Sequence, residues 1–150
     1  MANRSAKDYW LVGTQFFLFF LFLFPTKFLF KVAAFLQIPS LISSILGFII
    51  VLIALFNLDK SLTAFPTPKN NSELITSGLY KYVRHPIYTG ILLTVFAYSI
   101  YSASIPRLII SLMLLILLYF KTNYEEYKLS QKYPDYYAYK ARTGRFIPNL

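Results

Sequence analysis

The chain has 150 residues, which suits a single domain over residues 1–150, and 57% of them are hydrophobic. This share exceeds the roughly 45–50% of soluble domains, and with a net charge of +9 it points to a membrane surface or a nucleic acid as partner. No cysteine, a single histidine and five glycines exclude disulfides, thiol catalysis, multi-histidine metal or haem sites, and glycine-rich nucleotide-binding loops.

The first apolar element predicts a membrane-spanning helix near residues 9–25, because no charged residue interrupts it. Arg4 and Lys7 precede this run, as in a signal peptide, but no small-residue cleavage site follows it. We therefore expect a retained anchor helix. Residues 26–38 are compatible with a short interfacial helix or with an extension of the first span.

Three later charge-free runs predict further spans near residues 40–58, 86–104 and 105–123. The last run is short and reaches a full span only if Arg107 and Lys121 extend their charged ends outward. Prolines fall almost entirely at the edges of the runs, where helices begin or end. The fold class predicted is all-α: an integral membrane bundle of about four helices with a cytoplasmic C-terminal helical extension.

The distribution of basic residues predicts the orientation of this bundle. Four spans place twelve lysines and arginines on the side of the N-terminus and three, Lys27, Lys31 and Arg107, on the other. We therefore expect a multi-pass protein with both termini in the cytoplasm. The polar stretches 59–85 and 124–150 then share the cytoplasmic face, and membrane lipids, with no need for nucleic acid, explain the net charge.

The stretch before the third span carries a candidate anion site. Pro86 is predicted as the first residue of that helix, which leaves the N–H groups of residues 87–89 at a positive helix end. Arg84 and His85 add donors suited to a carboxylate or phosphate. Each of these residues alone is also typical of a membrane edge, and the neighbouring tyrosines are typical of an interfacial belt.

Beyond the fourth span, the helix is expected to continue into the cytoplasm. Glu125 and Glu126 are the only adjacent acids in the chain. For Glu126 we expect a solvated helix face, with Lys121 and other lysines as exposed partners. For Glu125, a solvated surface position and a functional role are about equally supported, because this residue projects toward the expected position of Arg84 and His85.

The C-terminal tail is rich in aromatic residues, with tyrosines at 133, 136, 137 and 139. The simplest interpretation is an amphipathic segment lying on the lipid headgroups. The functional alternatives are a cover over a ligand site and a segment that helps a lipid to enter.

Three segments together resemble the isoprenylcysteine carboxyl methyltransferase family, part of a wider group of membrane methyltransferases that includes phospholipid methyltransferases. They are LITSGLYKYVRHPIYTG (74–90), EEYKL (125–129) after the next span, and TGRFIP (143–148). The resemblance covers residues 72–148. The arginine–histidine–proline motif alone is a weak signal, but both motifs at this separation are fairly specific.

The resemblance implies S-adenosylmethionine as cofactor, bound between the two cytoplasmic stretches, and a lipophilic acceptor such as an isoprenylcysteine carboxylate or a lipid headgroup. It implies catalytic roles for Arg84 and for Lys121, which stands where relatives that methylate prenylcysteine have arginine. The cofactor-binding residues that it implies are Glu73, Leu74, Ile75, Tyr80, His85, Pro86, Ile87, Tyr88 and Glu125. Pro134 stands where a loop glycine is expected.

The chemistry of methyl transfer agrees with the composition, because displacement at a sulfonium needs no metal, thiol or covalent intermediate. The helix end at Arg84 and His85 suits the cofactor carboxylate, Glu125 suits its amino group, and Tyr80 or Tyr88 suits the sulfonium through cation–π attraction.

Two alternatives stay open. Membrane sterol and steroid reductases, which use NADPH, look similar around the motif but are generally larger and often have asparagine where this chain has Ile87. A non-enzymatic membrane subunit is the other, although a proton-coupled exporter usually needs an acid within a span, and the predicted spans contain none.

Overall fold

The computed structural model describes residues 4–24, 27–58 and 61–149, and in these residues it is built from helices without a β-strand. The prediction of an all-helical fold is therefore confirmed. The helices are α1 (Ala6–Leu23), α2 (Ala34–Leu58), α3 (Pro86–Tyr101), α4 (Ile105–Lys132) and α5 (Tyr136–Arg142), with a 3₁₀ helix at Gly78–Lys81 before α3.

Most helix boundaries follow the charge and proline pattern. Helices α3 and α4 begin at Pro86 and Ile105, as predicted, and α4 continues as one helix beyond residue 123. Helix α2 begins earlier than residue 40, so residues 34–38 extend the second helix rather than the first. Pro39 is tolerated inside α2 because its missing N–H removes only one bond close to the helix start.

Helix α2 packs closely on α3 because glycines face each other. A Cβ atom on Gly90 would lie 2.6 Å from the carbonyl oxygen of Gly47, so the two backbones meet without side chains between them. Next to this contact, the Ser44 hydroxyl donates to the Thr94 carbonyl (3.2 Å), and the Thr94 hydroxyl is 3.3 Å from the Ser44 carbonyl. The packing then runs from α3 to α4 and from α4 to α1.

Helix α1 is fixed to the rest of the bundle at one end by Arg107. The guanidinium donates to the carbonyls of Phe22 (3.3 Å) and Phe24 (3.4 Å), where the last carbonyls of a helix lack internal partners. The expectation that Arg107 extends outward is therefore corrected: it caps α1. Between the two ends, Leu18 of α1 packs with Val95 and Leu114 in the buried core.

At its other end, α1 is joined to the loop that follows α2. Asp8 is fully buried and accepts hydrogen bonds from the backbone N–H (3.0 Å) and hydroxyl (2.8 Å) of Thr67. The hydroxyls of Ser5 and Tyr124 lie 3.1 Å apart. The start of α1, the loop before α3 and the end of α4 are thus held together, while a bridge between Leu29 and Ser104 joins the opposite ends.

The outer surface of the bundle is strongly apolar. Helices α2 and α4 are long and apolar enough to cross a membrane, and α3 is a shorter apolar helix. Large side chains such as Phe35, Phe56 and Trp10 are more than three-quarters exposed. An apolar surface of this extent indicates contact with lipid or with another apolar partner.

The glycine contact gives a test of the α2–α3 packing. Gly90→Ala should lower the free energy of unfolding by about 1–3 kcal/mol, because the new methyl group overlaps the Gly47 carbonyl. Gly13→Ala is the matched control, since nothing lies within 4 Å of its Cβ position; it should be neutral or stabilise α1 by up to about 1 kcal/mol. Thermal unfolding in detergent measures both, and equal stability of the two variants would contradict the close approach.

Candidate active site

The arginine–histidine–proline turn is built on the C-terminal segment of the chain. The backbone N–H of Arg84 donates to the Gly144 carbonyl (2.8 Å), and that of His85 donates to the Arg145 carbonyl (3.1 Å). A Cβ atom on Gly144 would overlap the Ile147 carbonyl, so this position requires glycine. The TGRFIP segment therefore has a structural function: it holds the turn at the start of α3.

The helix start at Pro86 presents fewer N–H groups than predicted. The N–H of Thr89 donates to the His85 carbonyl (3.0 Å), which is the first internal bond of α3. Helix geometry leaves the N–H groups of residues 87 and 88 without an internal acceptor. The N–H group of Thr89 is therefore not available to an anion, and two of the three predicted N–H groups remain.

Glu126 lies at the centre of a buried ion-pair cluster. Its side chain is 3% exposed, and its carboxylate is 2.9 Å from Arg84 Nε, 2.8 Å from Lys140 Nζ and 3.4 Å from Arg145 Nε. The prediction of a solvated Glu126 is wrong. Helix α4 itself was predicted correctly. The partners of Glu126 were not, because they come from the turn before α3, from α5 and from the segment after α5.

The environment of Glu126 favours its charged form. Burial alone would raise the pKa of this carboxyl, but hydrogen bonds from His85, Lys140 and Arg84 more than offset burial and hold the pKa well below its usual range. Glu126 therefore stays ionised and keeps its cationic partners in place at neutral pH.

His85 lies between the two acids of α4. Its Nε2 is 3.3 Å from Glu126 Oε1, and its Nδ1 is 3.9 Å from Glu125 Oε2. The Tyr88 hydroxyl donates to Glu125 at 3.1 Å, and the Tyr88 ring stacks on the imidazole. The side chain of Glu125 is 24% exposed, so this acid is accessible to a ligand while Glu126 is not.

A small cavity, here called the loop-side cavity, lies between the loop before α3 and the end of α4. Its volume is about 80 Å³. Predicted site residues line it: Glu73, Leu74, Ile75, Tyr80, Arg84 and Glu125. Tyr133, Tyr136 and Tyr139 form another part of its wall, and the Tyr139 hydroxyl donates to the Tyr80 carbonyl (2.7 Å). Most of the aromatic tail thus covers the cavity, while Tyr137 is exposed.

The phenol of Tyr80 is held in its neutral form. Burial is the main cause that raises its pKa above the usual value, and the negative charge of Glu125 adds to it. Tyr80 therefore presents a neutral aromatic ring and a hydroxyl group to the cavity across the neutral pH range.

A larger cavity of about 400 Å³, here called the helix-side cavity, adjoins the first. The two share wall residues: Leu58, Thr63, Tyr80, Arg84 and Glu125. The remaining wall combines four apolar with four polar side chains: Leu55, Leu62, Ala64 and Ile87, and Gln15, His85, Tyr88 and Lys121. Together the volumes fall within the range of about 300–1,000 Å³ that is typical of ligand sites.

Lys121 is the buried cation of the helix-side cavity. Its side chain does not extend outward as expected: the residue is 1% exposed, and its ammonium donates to Gln15 Oε1 (2.5 Å) and to the Ala64 carbonyl (3.0 Å). It also lies 5.2 Å from the centre of the Tyr88 ring. Both hydrogen-bond acceptors of Lys121 are neutral.

The structure thus brings ten of the eleven predicted site residues to the two cavities. His85, Ile87 and Tyr88 join Lys121 in lining the helix-side cavity. Pro86 lines neither cavity and acts as the first residue of α3. Sequence reasoning missed Gln15, although a polar side chain inside the first apolar run is itself a signal of an inward-facing position.

A comparison with protein-family models identifies the family of this chain. The phospholipid methyltransferase family model matches residues 35–136, about two-thirds of the sequence, and the matched region contains both acids of α4 and the whole turn before α3. No curated protein matches the chain. The chain belongs to the phospholipid methyltransferase family and is a membrane protein of that methyltransferase group.

The ion-pair cluster gives a test that separates the two acids. Glu126→Gln should lower the free energy of unfolding by about 3 kcal/mol or more, because it removes the charge that pairs with the buried Arg84 and with the more exposed Lys140 and Arg145. Glu125→Gln should cost much less, since no arginine depends on Glu125. Thermal unfolding in detergent at neutral pH measures the difference, and equal losses would show that the Glu126 cluster does not stabilise the fold.

The same cluster predicts acid sensitivity. Because the pKa of Glu126 is lowered in the folded state, its contribution to stability is present above the ordinary carboxyl pKa and is lost as the pH falls below it. The melting temperature of the parent should therefore fall more steeply on acidification than that of Glu126→Gln. Parallel curves would contradict this assignment.

Proposed function

We propose that the protein is an S-adenosylmethionine-dependent methyltransferase that acts on a lipophilic acceptor at the membrane. One observation carries the proposal: two cavities adjoin, each combines apolar walls with polar groups, and Arg84, Tyr80 and Glu125 belong to both. A methyltransferase of this kind needs a polar site for the cofactor beside an apolar site for the acceptor.

The residues of the loop-side cavity fit the polar part of the cofactor. Glu125, in the shared wall, is accessible and suits the amino group, while the N–H groups of residues 87 and 88, on the adjoining helix-side cavity at the start of α3, suit the carboxylate. Glu73, Leu74 and Ile75 form the opposite wall. His85 orients Glu125, since its imidazole is fixed by the buried Glu126.

When bound, the cofactor supplies a methyl group on a positively charged sulfur, and the protein aligns the acceptor with it. The neutral aromatic rings of Tyr80 and Tyr88 suit a cation through contacts of roughly 0.5–2 kcal/mol. Alignment within a water-poor cavity is the main contribution that such a site makes to a displacement reaction.

The helix-side cavity fits the acceptor. Its leucine and isoleucine walls suit a lipid chain, and within the described part of the chain the buried ammonium of Lys121 donates to two neutral acceptors, Gln15 and the Ala64 carbonyl. A charged amine beside Lys121 is repelled, whereas a carboxylate or other oxygen anion gains a partner. Of the two acceptor classes, an isoprenylcysteine-like carboxylate and a lipid headgroup, Lys121 favours a reacting group that is anionic. Arg84, in the shared wall, is the second cation for orienting it.

We further propose four membrane spans, one from each of α1 to α4, with both termini in the cytoplasm and residues 1–150 as a single domain. Consecutive helices connect at alternating ends of the bundle, and the start of α1 lies with the loop before α3 and the end of α4. The excess of basic residues on that side supports its cytoplasmic location.

Cofactor binding tests the proposed function. The purified protein in detergent should bind S-adenosylmethionine or its demethylated product in the micromolar range by calorimetry, about −8 kcal/mol at 1 μM. Glu125→Gln should weaken binding by about 2 kcal/mol or more, because the amino group loses a charged partner. Asp135→Asn, an exposed acid at the start of α5, is the charge-matched control. Tight NADPH binding without binding of the methyl donor would instead support a reductase.

Reporter fusions test the topology. A reporter at Asn71, in the loop before α3, and another at the C-terminus should both report cytoplasm, because both segments lie on the more basic side. Fusions that report opposite sides would exclude the four-span arrangement.

A further inference from the structure

A third depression lies outside the two cavities, where α4, α5 and the C-terminal segment meet. Its volume is about 220 Å³, room for several waters at about 30 Å³ each. Asn123, Tyr136, Tyr137, Lys140 and Arg145 contribute to its wall, with Glu126 behind them. Neither the cofactor nor the acceptor proposed above uses this depression.

The charges around the depression do not balance. Lys140 and Arg145 line it, and Arg84 binds the same carboxylate from behind, so three cations share the single charge of Glu126. Among the described residues, three buried atoms here lack a hydrogen-bond partner: Arg145 Nη1, the hydroxyl of the fully buried Tyr136, and Glu126 Oε2, whose charge is paired with the Lys140 ammonium at 2.8 Å. Buried polar groups are normally satisfied, so unused donors beside excess positive charge indicate a site for an anion.

The position of the depression indicates where the anion comes from. The Arg145 guanidinium lies 5.0 Å from the centre of the Tyr119 ring, and Tyr119 and Phe120 are both more than half exposed at the end of the charge-free part of α4. A neighbouring groove shares Asn123 and Tyr127 with the depression and reaches Lys7 on α1. Basic groups directly above exposed aromatic rings match the level of lipid headgroups.

We propose that this depression binds the phosphate of a membrane phospholipid headgroup. Lys140 and Arg145 neutralise the phosphate, the Tyr136 hydroxyl donates to it, and an acyl chain lies along Tyr119 and Phe120. The bound lipid fixes α5 against α4 at the membrane surface. Tyr136 also lines the loop-side cavity, but Lys140 and Arg145 line neither of the two cavities, and the phosphate site does not depend on the identity of the cofactor or acceptor.

Native mass spectrometry of the delipidated full chain in detergent tests the proposal, with dioleoyl phosphatidylglycerol as the probe. Dioleoylglycerol, which has the same chains without phosphate, is the ligand control. Lys140→Gln should weaken binding of the phospholipid about fivefold, the contribution typical of one basic residue near an anionic headgroup. Lys81→Gln, an exposed lysine outside the depression, removes the same charge and should leave binding unchanged.

A second variant distinguishes a loss of lipid binding from a loss of folding. Tyr136→Phe removes a hydroxyl that has no hydrogen-bond partner among residues 4–24, 27–58 and 61–149, so it should weaken phospholipid binding without lowering the melting temperature. Equal binding of phosphatidylglycerol and dioleoylglycerol, or equal effects of the Lys140 and Lys81 variants, would overturn the proposal. Displacement of the lipid by millimolar inorganic phosphate would assign the site to a soluble anion instead, and resistance to it supports the lipid.

Discussion

The buried carboxylate of Glu126 is the constraint on which the site depends. It fixes Arg84 and His85 in the turn before α3 and Lys140 in α5, so one side chain joins three segments that are far apart in sequence. A buried carboxylate is stable only when hydrogen bonds and opposite charges replace its lost hydration. The geometry of the turn is therefore set by this ion-pair cluster together with the backbone hydrogen bonds from Arg84 and His85 to the C-terminal segment.

The two adjacent acids of α4 therefore have different roles. Glu126 faces inward and is neutralised by protein cations, which leaves Glu125, about 100° around the helix, accessible for a ligand. His85 contacts both acids, so the structural carboxylate positions the imidazole that in turn lies beside Glu125. A rigid inner cluster supporting an accessible outer group is the usual way in which proteins hold a binding group within a narrow range of positions.

The helices were predictable from sequence because lipid-facing runs exclude charge over the length of a helix, and prolines mark where runs end. The partners of the buried polar side chains could not be predicted from the sequence. Neighbouring acids on a helix differ in direction by about 100°, and which of them faces inward depends on residues such as Lys140 and Arg145, placed by a later helix and segment. Lys121 was misplaced for the same reason: its acceptors, Gln15 and Ala64, lie on a distant helix and loop.

The packing of α1 against α4 rather than along the sequence has a consequence for biosynthesis. Helix α1 is made before the residues that hold it in the bundle, because Leu114 and Arg107 follow about a hundred residues later in the sequence. The Gln15 amide of α1 therefore lacks its Lys121 partner until α4 has been made. The helix-side cavity closes only when α4 is in place, so a chain truncated before α4 lacks the wall that carries Lys121 and Glu125.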